Sequence, residues 1–174
     1  MEEIGIEKFP AITTLNVKDQ FIHDILQKKK QRKLSFMDLY DLIKDKIPFT
    51  FTYFKSILKL SFPEFRNKEV LINICEILGI KKEILESEVV AYRTRQGRVI
   101  AYNTSLPIKV SPMFYMLIAH LMADGCYIRF KDRKSIYSKY RQYNKKLRLS
   151  FLDKADNVFG NLTYPRTYFD YETL

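Results

Sequence analysis

The residue best placed to do chemistry is Asp124. It closes an apolar run that begins at Ser111-Pro112-Met113-Phe114 and continues as Leu117-Ile118-Ala119-His120-Leu121-Met122-Ala123-Asp124-Gly125. Ser111 suits a helix N-cap, Pro112 the first helical position, and Gly125 a sharp exit. A carboxylate at the C-terminal end of a helix sits at the negative pole of the helix dipole, where charge alone disfavours it. A bound divalent cation would compensate that placement, since hard cations take carboxylate oxygens. Two such cations can clamp the attacking and leaving oxygens of a phosphodiester. The plain alternative is an acid that caps or ion-pairs at the helix end. Met113, Met116, Leu117, His120 and Leu121 wrap most faces, so the helix is expected to be buried on nearly all sides. Ala119 and Ala123, four apart, would let a second helix approach closely.

Few other residue types offer chemistry. His120 lies within the apolar run and reads as a core histidine donating to a neighbouring carbonyl. Cys75 and Cys126 stand far apart in apolar surroundings, as reduced, buried thiols do in an intracellular protein. No Cys/His spacing suits zinc, and no Ser/His/Asp grouping, P-loop or dinucleotide fingerprint occurs.

Leu117 to Gly125 resembles the nine-residue motif of the LAGLIDADG homing endonucleases: Leu117, the small residues Ala119 and Ala123, and Asp124-Gly125 fall at motif positions. Tyr143-Asn144, Leu147, Phe151 and Val158-Phe159-Gly160 are similar to the second helix of that fold, and Ser105-Leu106-Pro107-Ile108 with Ser111-Pro112 to its lead-in. The resemblance covers roughly Leu106 to Gly160. It implies that Asp124 is catalytic and holds Mg²⁺ beside a scissile phosphate. It also implies that Leu117, Ala119, Ala123 and Gly125 lie on a helix pair, and that a second copy supplies the second acid through an isologous contact. Three departures weigh against cleavage. Met122 stands where many members carry an acid. Gly160 is followed by 14 residues, 161 to 174, too few for the two strands and helix that complete the family fold. The later strand that carries a supporting Lys in relatives is lost with them. The expectation is a truncated member, inactive or dependent on a dimer for metal-assisted double-strand cleavage.

The rest of the chain must position these groups. Its 174 residues are 47% hydrophobic, with 12 Tyr, 13 Phe and no Trp, enough for one domain or two small ones. The 30 Lys plus Arg against 20 Asp plus Glu leave +10, which favours a polyanionic partner, nucleic acid first. Met1 to Phe9 is acidic without an apolar core, and no run reaches the ~18 apolar residues of a membrane span. A soluble, cytoplasmic protein with no membrane partner is expected.

Met1 to Leu15 shows no clear period and reads as a loosely held arm. Asn16 can cap a helix to about Lys30, with Val17, Phe21, Ile22, Ile25 and Leu26 inward. It ends in Lys28, Lys29, Lys30, Arg32 and Lys33, either a solvated helix end or a phosphate-binding cluster. Ser35, with Asp38 three residues on, opens a second helix whose inner side is Phe36, Leu39, Tyr40, Leu42 and Ile43. After a break at Ile47-Pro48-Phe49, Thr50 or Thr52 can cap a third, through about Leu60. This is the outline of a helix-turn-helix, shared with many helical bundles that only pack. Lys55, Ser56 and Lys59 would be its exposed readers. Asn67 caps a fourth helix, Lys68 to Leu78, closed by Gly79, and Lys81 to Glu86 forms one more short segment.

From Val89 the pattern turns to β. Val89–Tyr92 and Val99–Tyr102 read as a hairpin whose tip carries Arg93, Arg95 and Arg98, a solvated loop or a phosphate clamp. Asn103 to Val110 leads into the central helix. Two alternating runs follow, Cys126–Phe130 and Ser135–Arg141. Between Tyr127 and Arg148 nine Lys or Arg face one acid, Asp132. Such a ribbon either blocks edge pairing with Lys and Arg or presents a one-sided comb of Arg129, Lys131, Arg133, Lys139 and Arg141 to a DNA groove. Lys145 to Phe159 is an amphipathic helix stopped by Gly160, and Leu162 onward leaves room for one strand.

The expected fold class is therefore α+β, comprising an N-terminal helical bundle, helix-turn-helix-like, over 1–88, a β-hairpin and linker over 89–110, and a partial LAGLIDADG-type αββα(β) unit over 111–174. The first functional expectation is a DNA-binding protein of that family. Two alternatives remain open: a non-catalytic helix-turn-helix regulator and a helical protein-interaction module.

Overall fold

The computed structural model describes residues 2–59, 64–94, 100–129, 136–140 and 144–163, with side chains at 124–129 and 136–140 excepted. In chain order the elements are β1 (Glu3–Ile4), a 3₁₀ turn (Ile6–Lys8), β2 (Thr13–Val17), α1 (Asp19–Gln31), α2 (Phe36–Ile43), α3 (Phe51–Ile57), β3 (Arg66–Asn67), α4 (Lys68–Leu78) and α5 (Lys82–Glu88). They continue with β4 (Val89–Thr94), β5 (Ala101–Tyr102), β6 (Ile108–Lys109), α6 (Pro112–Asp124), β7 (Gly125–Arg129), β8 (Ile136–Tyr140), α7 (Lys145–Phe159) and β9 (Asn161–Leu162). The strands form an antiparallel five-stranded sheet in the order β3-β2-β4-β5-β9 and two antiparallel pairs, β1-β6 and β7-β8. The chain is α+β, as expected.

Helix boundaries follow from their caps. Ser35 and Asp38 close a reciprocal capping box on α2: the Asp38 N–H donates to Ser35 Oγ at 3.1 Å and the Ser35 N–H to Asp38 Oδ2 at 2.7 Å. The Ser35 hydrogen bonds, chiefly its backbone N–H, hold the Asp38 carboxyl below the ordinary range. Thr50 caps α3, and Asn67 Oδ1 accepts from the Val70 N–H at 3.1 Å to start α4. Gly79 ends α4 in the left-handed region (φ +62°), with the Ile80 N–H reaching back to Cys75 O at 2.8 Å. α7 spans Lys145–Phe159 and ends at Gly160, as the sequence marks, and Asn144 is its N-cap.

Three expectations about the N-terminal region are corrected. Residues 2–15 are not a loosely held arm. Ile6 is fully buried, and β2 lies inside the sheet between β3 and β4, with Thr13, Leu15 and Val17 buried. The alternation is that of a strand, but polar Thr13 and Asn16 hide it from a hydrophobicity scan. Asn16 caps no helix: it belongs to β2, and its side-chain amide donates to Glu64 Oε1 at 2.6 Å. The strand register carries one residue further, where the Lys18 N–H bonds Glu88 O at 3.1 Å, so α1 begins at Asp19. The region is also no pure helical bundle. Its core joins Leu15 and Val17 of the sheet to Ile22 and Ile25 of α1, Leu39 and Ile43 of α2, Phe54 and Ile57 of α3, and Leu71 and Ile74 of α4.

Three buried charged groups join these layers. Arg66 is 2% exposed, and its guanidinium donates to the carbonyls of Ile57 (3.0 Å), Lys59 (3.4 Å) and Glu64 (3.4 Å). That places a cation on the carbonyls at the α3 C-terminus, where the dipole favours it. Lys68 Nζ donates to Phe9 O at 2.6 Å and pairs with Glu69 at 2.8 Å. Glu86 Oε1 accepts the Ile6 N–H at 2.9 Å. Each buried charge is thus hydrogen-bonded.

Replacing Leu15 with Ala should lower the unfolding free energy by about 2–5 kcal/mol in urea titration, the range for a buried leucine, whereas an arm residue would move it little. Gly160→Ala should lower the melting temperature. Gly160 has φ +94°, and an added Cβ would run into the Tyr102 carbonyl oxygen.

Candidate nucleic-acid interface

The Ser111 hydroxyl accepts from the Phe114 N–H at 3.3 Å, and its carbonyl from the Tyr115 N–H at 3.2 Å, so α6 starts at Pro112 as its sequence dictates. The helix runs to Asp124, and Gly125 opens β7 with no residue between. The backbone therefore delivers Asp124 to the root of the β7–β8 ribbon. α7 packs on α6 with Phe151 edge-on to the His120 ring at 6.2 Å. His120 is half-buried and shares this packed side with Leu117 and Leu121.

α6 is not buried on nearly all sides. Of its described side chains only Leu117 is buried. Tyr115 (61% exposed), Met116 (52%) and Met122 (78%) are open to solvent, and so are Ala119 and Ala123. One side, on α7, is covered. The opposite side is apolar and uncovered, with the two alanines along its middle. A helix apolar all round suggests a core position only if the chain supplies neighbours on every side, and the described residues supply them on one.

The ribbon pairs Cys126 with Lys139, Ile128 with Tyr137 and Arg129 with Ile136. Positions directly opposite share a face, and successive positions alternate. Arg129 and Lys139 therefore occupy opposite faces, and the comb is not one-sided at these two positions. Lys131, Arg133 and Arg141 lie outside the described residues, as do Arg95 and Arg98 between β4 and β5 in sequence. Arg93 is described: its guanidinium stacks on the Phe65 ring at 4.3 Å, half-buried beside β2.

The cationic end of α1 divides into two kinds of residue. Lys29 Nζ donates to Leu34 O at 2.8 Å and lies 4.5 Å from the Phe36 ring, and Arg32 donates to the Ile77 carbonyl. These two fasten the α1–α2 turn. Lys28 is half-buried, while Lys30 and Lys33 are exposed, Lys33 with φ +56°. Lys55 on α3 and Lys59 just past its end are exposed, and the Ser56 hydroxyl donates to the Tyr53 carbonyl at 2.6 Å. Nothing in the sequence marks Arg66, Lys68 and Glu86, because a buried charge is not distinguished from a surface one until its partners are known.

Comparison with protein-family models, curated proteins and solved structures finds no match. Among the described residues no three His, Cys, Asp or Glu side chains converge as a metal-binding group, and no helix is long and apolar enough to cross a membrane. Cys75 supplies no nucleophile: it is 3% exposed, and burial pushes its thiol up to about 12. A thiolate would form only as pH rises toward that value. In a Cys126→Ser variant, a thiol reagent at pH 8 should leave Cys75 unlabelled in the folded protein and label it fully in denaturant.

Proposed function

We propose that this chain binds duplex DNA as a homodimer related to the LAGLIDADG endonucleases, paired through α6. The observation that supports this most is the uncovered apolar side of α6, with Ala119 and Ala123 along it, on the helix whose last residue is Asp124. Small residues at that spacing suit helix–helix contact at short distance, and an exposed apolar strip of this kind marks an interaction surface. A twofold contact along it would bring two Asp124 residues to one end of the helix pair. The order α6-β7-β8-α7 follows the helix, two strands, helix sequence of that fold, and the +10 charge of the chain suits the partner.

Asp124 is the candidate metal ligand and catalytic acid. Its donor type fits Mg²⁺, but one chain contributes one such carboxylate, so the fit requires both copies. Bound there, Mg²⁺ would supply Lewis-acid stabilisation of the scissile phosphate. The described residues of one chain add no further ligands. β9 pairs with β5 of the upstream sheet and not with the ribbon, so the chain itself does not extend the ribbon with that strand. A non-catalytic DNA-binding protein is the second reading.

Sedimentation should find a dimer, and Ala123→Glu should convert it to monomer with the helix content unchanged. Long duplex DNA should be bound and, on adding Mg²⁺, nicked by the wild type but not by Asp124→Asn. Nicking retained in that variant removes Asp124 from the metal site. Binding without nicking by the wild type selects the non-catalytic reading.

A further inference from the structure

Two segments distant in sequence bring cations to one place in the N-terminal region. Lys29 of α1 lies 4.5 Å from the Phe36 ring, and Lys55 of α3 approaches the same ring at 6.0 Å. Around them the chain holds no acid from Ile25 to Met37 and none from Ile47 to Lys59. The acids that flank these stretches in sequence are Asp24, Asp38 and Asp45; Asp38 Oδ2 accepts the Ser35 N–H at the head of α2, and Asp24 Oδ1 accepts from the Gln20 side-chain amide. Among the described residues, Lys18, Lys44, Lys46, Lys68 and Lys82 form ion pairs with carboxylates. None of Lys30, Lys33, Lys55 or Lys59 belongs to that set.

We propose that the C-terminal end of α1 and the solvent side of α3 form one binding surface for the phosphate backbone of duplex DNA, distinct from the β7–β8 ribbon. The surface meets at Phe36, whose ring bridges the two cationic segments. The solvent side of α3 is Thr52, Lys55 and Ser56, continued by Lys59 just past its end, a polar and basic strip, while Phe54 and Ile57 are fully buried and Phe51 and Tyr53 are half-buried against the core. That division argues against an acidic membrane, which would take an apolar helix side between the lysines. A polyanion with charges at regular spacing suits lysines held on two rigid elements, because each neutralised phosphate releases counterions. Lys29 and Arg32 fix the turn through backbone carbonyls. Lys30, Lys33, Lys55 and Lys59 are left as the contacting cations.

This inference deepens the DNA-binding reading but depends on neither Asp124 nor pairing through α6. The test is binding of a random-sequence duplex by the full chain over a salt series. It compares wild type with Lys30→Gln/Lys33→Gln, Lys55→Gln/Lys59→Gln, the fourfold combination, and the ribbon variant Arg129→Gln/Lys139→Gln. Circular dichroism checks that each is folded. Each neutralised contact should reduce the slope of log K against log salt by about 0.9. Each N-terminal double variant should therefore reduce it by about 1.8, and the combination by about twice that, with affinity at low salt falling more than tenfold. A folded fourfold variant with wild-type slope and affinity overturns the proposal. If the ribbon variant alone is weakened, DNA binding stands and this surface falls. If the wild type binds no duplex, both fall. Phosphatidylserine vesicles serve as the second probe, and fourfold-variant loss confined to them assigns the cations to a membrane and overturns the proposal.

Discussion

The pairing of β2 with β4 is the constraint on which the architecture depends. Five residues near the start, Thr13 to Val17, run antiparallel to Val89–Thr94, with Leu15 opposite Tyr92 and a register shift at Asn16/Val17. Everything from α1 to α5 is thereby enclosed between two neighbouring strands. Its helices must pack their apolar sides against the sheet and one another. Leu15 and Val17 give the sheet its part of the core, and desolvation pushes the pKa of the half-buried Tyr92 hydroxyl up. The pairing is non-local, so the closure entropy of the whole helical segment opposes it until the helices pack.

The same sheet carries the chain's later elements. β4 turns into β5, and β5 takes β9 on its other edge, with Ala101 opposite Leu162 and Tyr102 opposite Asn161. The Thr163 N–H also donates to Ile100 O at 2.8 Å. The helix pair α6–α7 is therefore tied to the upstream sheet at the end of α7. Gly160, pressed against the Tyr102 carbonyl, is where a side chain cannot be accommodated. At the opposite edge, β3 is too short to template another strand, and its Arg66 turns inward onto the α3 carbonyls, one of the ways sheet edges are kept from pairing.

How much of this is legible in the sequence depends on whether the signal is local. Asn67 and Gly79 bound α4 at Lys68 and Leu78, and Gly160 ends α7, because a cap is a one-residue interaction with its own helix. The capping box at Ser35 and Asp38 is legible for the same reason. β2 is not legible because Thr13 is buried, and Asn16 paired, by segments that arrive much later in the chain. The exposure of α6 was missed because composition states that a helix is apolar, not which sides the fold covers. The candidate site divides likewise: Asp124 at the helix exit and two ribbon strands follow from local pattern. The meeting of α1 and α3 at Phe36 is a tertiary fact. The alternation of Arg129 and Lys139 across the ribbon follows from a register that depends on the turn length.

The junction at Asp124–Gly125 has a mechanical consequence. A helix that becomes a strand without a linker residue forms a stiff elbow, and the five-residue ribbon acts as a lever arm of roughly 17 Å. A tilt of α6 by about 10° would sweep the far end of that arm through about 3 Å, close to one strand residue. Whatever seats itself along the open side of α6 would thus also set the pitch of the ribbon, so assembly and the aim of the cationic strands would be governed by a single joint.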